Sequence, residues 1–555
     1  MHRIAARPLP FVFPFVVPFT MSASLLVAGC ATGEIDDPTY DPATRHPAVG
    51  GADGDAPDDP REAAPIFPME DATPTPSDDT GDATFDTAPK PPELEPAHDV
   101  PITQIAIYQG VKISLAKDGA PVATARARVV AGKEALVRVW IAPSTTFGSR
   151  EVIARLTLSG ATSSVLETTK TITTASTEGV LDSTINFAIP NGVIGIDTNY
   201  RVELLSKPGQ PPGASDRARF PATGDQPLAA IDTGASLKVT LVPVRYDADG
   251  SGRLPDTSEA QLKRYRDQLY AIYPAKKIEL TVHAPFAVSY GVDGSGSGFG
   301  TLLNQLTKLR QTDGAPKDVY YFGVFDSTPT FNDYCGSWCT VGLCNLVDVS
   351  SDAFLRACVG VGFTGSTSAW TMAHELGHAH GLPHAPCGGA SGTDPGYPYA
   401  GAAIGTWGWD VRTNALIEPS KTKDMMSYCD PSWVSDYNYE NLVDRMHDVA
   451  AAGAAMTKGP GKPAPYRFVE VRGDGSLVWG DSIELDAPLH GELHDVTYTT
   501  KDGRVIETST AHYYPYADRA LGGTMLVPEP RASFATMEVL GMAPGVTARL
   551  GALVR

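Results

Sequence analysis

Basic residues are scarce in this 555-residue chain, which contains 44 Lys and Arg against 64 Asp and Glu and has a formal net charge of −20. This deficit of positive charge argues against nucleic acid as the main partner. Charged residues of either sign make up only 19% of the chain and apolar residues 42%, which excludes collagen, a coiled coil and a wholly disordered chain. Long apolar runs are missing beyond the N-terminus, which excludes a polytopic membrane protein. The length predicts about three domains.

The N-terminus has the order of a secretory signal, with a short basic start followed by the apolar run Leu9–Ala28. Three interior prolines argue against a membrane-spanning helix. The sequence Leu-Val-Ala-Gly-Cys that ends at Cys30 resembles a bacterial lipobox. That resemblance implies removal of residues 1–29, acylation of Cys30 and, because alanine follows the cysteine, sorting to the outer membrane. An ordinary secretory signal remains the alternative.

Residues 30–100 are predicted to be a disordered acidic tether. Positions 31–100 hold 18 Asp and Glu, three Lys and Arg, and 13 prolines. Such a segment cannot bury enough apolar surface to offset the entropy lost on ordering. We therefore expect a spacer between a lipid anchor and the folded body, and no inhibitory cysteine occurs in it.

The rest of the chain predicts a multidomain protein in which an α/β (α+β) domain is flanked by all-β, sandwich-like domains. Short alternating runs predict a β-sandwich over 101–205, and a Pro- and Gly-rich stretch predicts a linker over 206–235. Strands then alternate with amphipathic helices, which predicts a largely parallel sheet within a domain at 236–460. Strand-like runs return in 461–555, which we interpret as a C-terminal β domain.

Six cysteines follow Cys30, and in an exported chain this number suggests three disulfides. The pair Cys335 and Cys339 also has the spacing of half a zinc site. No Cys/His pair at zinc-finger spacing accompanies it, so disulfides are favoured.

The motif with clear chemical meaning is His374-Glu375-x-x-His378-x-x-Gly381-x-x-His384. Two histidines four residues apart share one face of a helix, so both imidazoles can reach one zinc ion. Gly381 can adopt positive φ, end the helix and turn the chain so that His384 becomes the third ligand. Three protein ligands leave zinc an open position for water. His380 is a weaker candidate for third ligand, because it lies on another face of the helix.

This motif resembles the extended zinc signature of the metzincin metalloproteases. Those enzymes carry a methionine turn below the zinc, and Met426-Ser427-Tyr428 fits its Met-x-Tyr form about 40 residues downstream. The resemblance implies that Met426 forms the hydrophobic floor and that Tyr428 ligates zinc at rest and moves to the oxyanion; a buried phenol that supports the turn is the alternative. The chain is also similar to secreted bacterial peptidases of the M66, glycoprotein-cleaving kind.

The predicted function is therefore that of a zinc endopeptidase, which hydrolyses extracellular proteins or glycoproteins through a zinc-activated water with Glu375 as general base. The alternatives are a zinc hydrolase of a non-peptide bond and a surface adhesion lipoprotein with a vestigial zinc site. We expect a monomer that touches the membrane only through its N-terminal lipid.

Two further predictions concern the surroundings of this site. A disulfide between Cys387 and Cys429 would tie the loop of the third ligand to the methionine turn. Asp247 and Asp249 resemble the start of a calcium loop, but the twelfth position is Ser258 rather than a glutamate. A polar turn is therefore favoured there over a calcium site.

Overall fold

The computed structural model describes residues 93–234, 236–454, 463–486 and 488–540. The chain divides into two units, and all of the described residues lie in the second, which begins at residue 73. The predicted signal with Cys30 and the tether up to residue 92 lie outside the described residues. The prediction of a disordered tether is wrong for its last residues, because Glu95–Pro96 forms a short strand paired with Leu205 and Ser206, and Ala97 and Val100 are buried. Among the described helices, none is both long enough and apolar enough to cross a membrane.

The N-terminal part of the described chain is built from eleven strands. They are β1 (Glu95–Pro96), β2 (Ile102–Tyr108), β3 (Lys112–Lys117), β4 (Ala120–Pro121), β5 (Ala135–Ile141), β6 (Arg150–Ser159), β7 (Ser164–Ile172), β8 (Ile185–Ile189), β9 (Asn199–Ser206), β10 (Arg219–Phe220) and β11 (Gln226–Pro227). One antiparallel sheet has the order β1-β9-β6-β7, with β10 and β11 also pairing with β9. The other has the order β4-β3-β2-β5-β8.

These two sheets share one apolar core, to which the first contributes Leu156 and Leu204 and the second Ile105 and Val139. Burial alternates along β6 from Val152 onward, β5 is buried throughout, and β2 is buried from Ile105 to Tyr108. The arrangement agrees with the two-layered β fold that the alternation predicts.

The segment 206–235, predicted as a linker, differs from that prediction because it contributes β10 and β11 to the first sheet. Phe220 and Leu228 are buried in the shared core, and Ile231 forms a bridge with Val130. A few apolar side chains among the prolines and glycines are enough to pack this stretch against the sandwich.

The middle of the chain alternates strands and helices. The elements are β12 (Leu237–Tyr246), α1 (Glu259–Ile272), β13 (Ile278–Val282), β14 (Phe286–Val288), α2 (Phe299–Thr312), β15 (Val319–Phe325), α3 (Phe331–Cys335), β16 (Gly342–Cys344), β17 (Ala357–Val361), α4 (Ser366–Ala379), β18 (Gly408–Asp410), β19 (Ala415–Ile417), β20 (Lys423–Asp424), β21 (Ser432–Trp433) and α5 (Asp436–Ala454). Single-turn 3-10 helices occur at Leu181–Ser183, Ala353–Leu355, Ala400–Ala402 and Arg519–Leu521.

The sheet of this middle part has the order β13-β12-β15-β17-β16, and β14 also pairs with β12. Its strands are parallel except for β16, which lies at the edge and runs antiparallel to β17. Ser258 caps α1 by accepting a hydrogen bond from the Gln261 backbone, and the Gln261 side chain donates to Ser368 of α4 at 3.0 Å. Helices α1 and α4 are thereby fixed to each other, which positions the helix that carries the histidine motif.

The C-terminal part forms one antiparallel sheet with the order β23-β22-β26-β25-β24-β27. Its strands are β22 (Ala464–Arg472), β23 (Leu477–Leu485), β24 (Glu492–Thr499), β25 (Val505–Pro515), β26 (Gly522–Pro528) and β27 (Thr536–Val539). The expectation of a second sandwich is not met within the described residues. Here α2 supplies the opposing layer, through hydrogen bonds from Thr301 to Glu470 and from Thr524 to Asn304, each at 2.7 Å.

Candidate metal centre

Helix α4 places two histidines one turn apart and then stops at a glycine. Gly381 has φ of +85°, and the backbone N–H groups of Gly381 and Leu382 donate to the carbonyls of His378 and Gly377 at 2.8 and 3.0 Å. This pair of bonds is a Schellman motif, which satisfies the last carbonyls of a helix and needs a left-handed residue that glycine adopts readily. The chain therefore turns sharply, and His384 returns toward the helix.

The three imidazoles predicted as ligands converge. One nitrogen from each of His374, His378 and His384 lies within 4.8 Å of the others, and no other group of three or more potential ligands is found in the described part of the chain. The Nε2 atoms of His374 and His378 are 3.1 Å apart. Two ligands of a tetrahedral zinc ion at 2.0–2.1 Å are separated by about 3.3 Å, so this spacing suits a shared zinc ion.

Hydrogen bonds on the opposite ring nitrogens orient the same three imidazoles. Nδ1 of His374 lies 2.7 Å from the Met425 carbonyl, that of His378 is 2.7 Å from Leu382, and that of His384 is 2.6 Å from Ser391. A carbonyl can only accept, so each Nδ1 carries the proton and each Nε2 presents a lone pair to the centre. Three convergent lone pairs repel one another unless a cation lies between them, and the donor set therefore fits a metal.

The charge state of the rings agrees with that role. Burial lowers the pKa of His374 to about 3, with a smaller contribution from His384, and burial also lowers the pKa of His378 and His384. Neutral imidazole is the form that binds a metal. The three imidazoles are thus already in the neutral form that binds a metal.

His380 does not join the cluster. Its ring stacks on Tyr320 with centroids 4.5 Å apart, and its Nδ1 lies 2.6 Å from the Leu376 carbonyl. It is 2% exposed and packs in the core on another side of the helix. Among the two candidates for third ligand, the structure therefore brings His384 to the centre.

Glu375 lies beside the cluster with a carboxylate that has no hydrogen bond or ion pair among the described residues. The residue is 5% exposed. Burial, and to a smaller extent the negative charge of Asp518, raise its pKa well above the ordinary value for glutamate. A Cβ added at Gly342 of the edge strand β16 would overlap this carboxylate. Glycine at 342 is thus what allows the edge strand to approach Glu375 closely.

The turn below the histidines is held by a buried carboxylate. Asp424 accepts hydrogen bonds from the backbone N–H groups of Met426 and Ser435 at 2.8 and 2.9 Å and from the Asn438 side chain at 2.8 Å. Met426 is fully buried, and its carbonyl accepts from the Ala385 backbone at 2.9 Å. Met426 therefore lies between the loop of the third histidine and α5, as a floor to the centre.

The disulfide predicted between Cys387 and Cys429 is present. It links the loop that follows His384 to the residue after Tyr428, and the Tyr428 backbone also donates to the Cys387 carbonyl at 3.3 Å. The remaining cysteines form the pairs Cys335–Cys339 and Cys344–Cys358. All six cysteines that follow Cys30 therefore form disulfides. The alternative that Cys335 and Cys339 are half of a zinc site is wrong.

Tyr428 lies on the open side of the centre. Its ring centroid is 4.8 Å from that of His384 and 5.9 Å from that of His374. The side chain is 47% exposed, which differs from the alternative of a buried supporting phenol. Its hydroxyl has no hydrogen-bond partner among the described residues.

The two aspartates of the possible calcium loop are engaged elsewhere. Arg245 donates to Asp247 at 3.0 Å, and Arg253 donates to Asp249 at 2.9 Å. The Asp249 carboxylate also accepts from the Ser251 backbone, which is the geometry of a polar turn. Calcium at this loop has no support in the described contacts.

Four residues near the centre were not identified from the sequence. No sequence motif marks Asp424 or Gly342. An acidic residue directly before Met425 is only a weak signal that its carboxylate could accept hydrogen bonds from the backbone of the turn. Ser391 and Asp518 meet across a long sequence separation, with the Ser391 hydroxyl donating to the Asp518 carboxylate at 2.6 Å. A contact between residues 127 positions apart has no local sequence signature.

Convergent imidazoles beside an unengaged carboxylate define a candidate metallopeptidase centre. Residues 356–460 match the sequence model of the Peptidase M66 family, and the matched segment contains all three histidines, Glu375, Met426 and Tyr428. This segment is about a fifth of the chain. The similarity to M66-type peptidases inferred from the motif is thereby confirmed over these residues. Comparison with curated proteins gives no match.

Proposed function

We propose that the chain is a metzincin-like zinc endopeptidase that cleaves extracellular proteins or glycoproteins. The observation that carries this proposal is the convergence of three Nε2 lone pairs beside the unengaged carboxylate of Glu375. His374, His378 and His384 would hold the zinc. The similarity of residues 356–460 to Peptidase M66 supports hydrolysis of peptide bonds over the non-peptide alternative.

When bound, zinc supplies a Lewis acid that lowers the pKa of a water molecule and polarises a carbonyl. Glu375 accepts the proton of the attacking water and later returns it to the leaving amine. The lack of other hydrogen-bond partners leaves both oxygens available for that transfer.

The remaining groups around the centre bind and orient the substrate. Tyr428 lies beside His384, and its hydroxyl can donate to the oxygen that gains charge at the scissile carbonyl. Gly342 lies on the edge strand next to Glu375, and in the ladder with β17 its N–H and C=O face outward. An extended peptide adds to such an edge by main-chain hydrogen bonds.

Export is supported by the three disulfides of the described chain, which persist in oxidising compartments. Together with the lipobox-like sequence at Cys30, they favour an outer-membrane or cell-surface lipoprotein that acts on proteins outside the cytoplasm. A monomer suffices, since the proposed ligands, base and oxyanion donor all come from one chain.

The test compares cleavage by the wild type and by Glu375→Gln on casein and on mucin, with cleavage sites read by mass spectrometry. We expect zinc content to be unchanged and hydrolysis to fall by about 10²–10⁴-fold in the variant, while a chelator abolishes wild-type cleavage. Glu167→Gln on the exposed face of β7 is the matched control. Full activity of Glu375→Gln would remove Glu375 from the mechanism. Glycoprotein binding by the wild type with no cleaved peptides would favour the adhesion alternative.

A further inference from the structure

The C-terminal sheet contributes a turn to the proposed cleft, made of residues 515–521 between β25 and β26 and called here the 515–521 turn. We infer that this turn closes the cleft on the side that receives the N-terminal part of the substrate. We further infer that Asp518 in it is a specificity-determining residue that binds a cationic group of the substrate. The inference rests on the proposed peptidase function and deepens it.

The 515–521 turn occupies part of the edge that a substrate would use. The Ala517 backbone N–H donates to the Cys344 carbonyl at 2.9 Å, and the Leu346 N–H lies 3.5 Å from the Pro515 carbonyl. Asn345 and Tyr516 are the bridged pair between these two bonds. The residues of β16 whose backbone N–H and C=O groups point away from β17 are Gly342 and Cys344. The Cys344 carbonyl already accepts a hydrogen bond from Ala517. A substrate strand therefore has Gly342 available and meets the 515–521 turn directly beyond it.

Chain direction identifies which part of the substrate meets this obstruction. Antiparallel pairing is the more stable arrangement of two strands. A peptide that runs antiparallel to β16 has its N-terminal side toward Cys344 and its C-terminal side toward Gly342 and the residues before it. The residues that precede the scissile bond are thus the ones brought to the 515–521 turn.

Asp518 lies next to the loop that carries the third proposed ligand. It is joined to the His384 loop by one residue only, because Ser391 donates its hydroxyl to Asp518 and accepts from His384 through its carbonyl. The carboxylate therefore borders the centre and does not belong to a remote surface.

The charge of Asp518 is not neutralised by the protein. Its Oδ1 accepts from the Ser391 hydroxyl at 2.6 Å and from the Ala520 backbone at 3.1 Å, while Oδ2 has no hydrogen bond among the described residues. No Lys, Arg or His of the described chain forms an ion pair with it. The neighbouring Arg519 is exposed and extends its side chain along Gly392. A half-buried carboxylate with one free oxygen beside a substrate path suits an ammonium or guanidinium group.

Two sources can supply that cation. One is the side chain of a lysine or arginine that precedes the scissile bond. The other is the free α-ammonium group of a short substrate whose N-terminus reaches the closed end of the cleft. Both present the same charge to Asp518, and they are separated by acetylating the N-terminus.

The experiment uses quenched fluorescent peptides with one cleavage site, carrying Ala, Lys, Arg or Glu at the second and third positions before the scissile bond, each with a free and an acetylated N-terminus. For the wild type we expect kcat/KM to be about tenfold higher for the cationic peptides than for the neutral ones. Asp518→Asn keeps the hydrogen bond with Ser391 and is expected to remove this preference. Asp518→Lys is expected to reverse it toward the Glu peptides.

Two controls separate charge recognition from support of the centre. Ser391→Ala removes the hydroxyl that joins Asp518 to the His384 loop but keeps the Asp518 charge and the backbone carbonyl that accepts from His384, so the preference for cations is expected to persist. Asp481→Asn, on the exposed part of β23 in the same sheet, is expected to behave as wild type. Zinc content is measured for every variant.

Three outcomes would overturn the inference. If Asp518→Asn lowers kcat/KM equally for cationic and neutral peptides, Asp518 only positions the His384 loop. If the wild type cleaves all peptides equally well, the inference fails while the proposed peptidase function stands. If the zinc-loaded wild type cleaves no peptide or protein at all, the proposed function fails and the inference fails with it.

Discussion

The floor and the rim of the candidate centre differ in how their polar groups are engaged. On the floor, each ligand imidazole is held by a backbone carbonyl, and Asp424 accepts three hydrogen bonds. On the rim, the Glu375 carboxylate and the Tyr428 hydroxyl have no hydrogen-bond partner among the described residues, and Asp518 has one carboxylate oxygen without a hydrogen bond there. The floor comes from one stretch of chain, residues 374–438, while the rim combines that stretch with β16 and the 515–521 turn.

This contrast separates holding a metal from acting on a substrate. Ligands bind tightly when their own rotamers are fixed by a surrounding shell of hydrogen bonds. Groups that transfer protons or recognise a substrate need free hydrogen-bonding capacity in the resting state. Changes to the floor should therefore alter zinc affinity and stability, whereas changes to the rim should alter turnover and leave zinc in place.

Removing a ligand from the floor should have the largest effect. We expect His384→Ala to weaken zinc binding by about 10³-fold or more and to abolish hydrolysis, because two imidazoles no longer complete the site. Zinc content after dialysis against a chelator of known affinity measures this. His380→Ala is the control, since its ring packs on Tyr320 outside the cluster. Retention of zinc by His384→Ala together with loss of zinc from His380→Ala would reverse the assignment of the third ligand.

Adding one methyl group to the rim, at Gly342, should produce the next largest effect. Gly342→Ala places a Cβ where the Glu375 carboxylate now lies, so the base is pushed from its position. We expect kcat to fall by about 10²–10³-fold, with zinc content and melting temperature close to wild type. A fall in zinc content equal to the fall in kcat would show that rim and floor are not separable at this point.

The disulfides allow the floor to be compared with the rest of the chain. Cys387–Cys429 closes a separation of 42 residues and Cys335–Cys339 one of 4. Loop entropy then predicts that paired Cys→Ser changes lower the free energy of unfolding by about 4 kcal/mol for the first and about 2 kcal/mol for the second. Only the first pair borders the ligands, so only its loss should weaken zinc binding, by about 10–100-fold. Equal zinc affinity in both variants would contradict this account of the floor.

The same division explains what the sequence reveals and what it does not. The floor is predictable because its geometry is local: His374 and His378 are one helical turn apart, and Gly381 supplies the turn that returns His384. The rim depends on contacts between distant parts of the chain, such as Gly342 against Glu375 and Ser391 with Asp518. Likewise, the pairing of β10 and β11 with β9 depends on a few apolar side chains within a Pro- and Gly-rich stretch. Composition alone therefore favours a linker there.

The smallest effect is expected from the phenol at the rim. Tyr428→Phe removes a hydroxyl that has no partner in the described structure and keeps the ring that packs 4.8 Å from His384. If the hydroxyl donates to the oxyanion, kcat should fall by about 10–100-fold with KM and zinc content unchanged, because the interaction exists only in the transition state. If the tyrosine instead only shields the ligands, kcat should stay near wild type and the rate of zinc loss to a chelator should stay the same, since the ring remains. The split between kcat and KM thus decides whether Tyr428 belongs to the reacting rim or to the supporting floor.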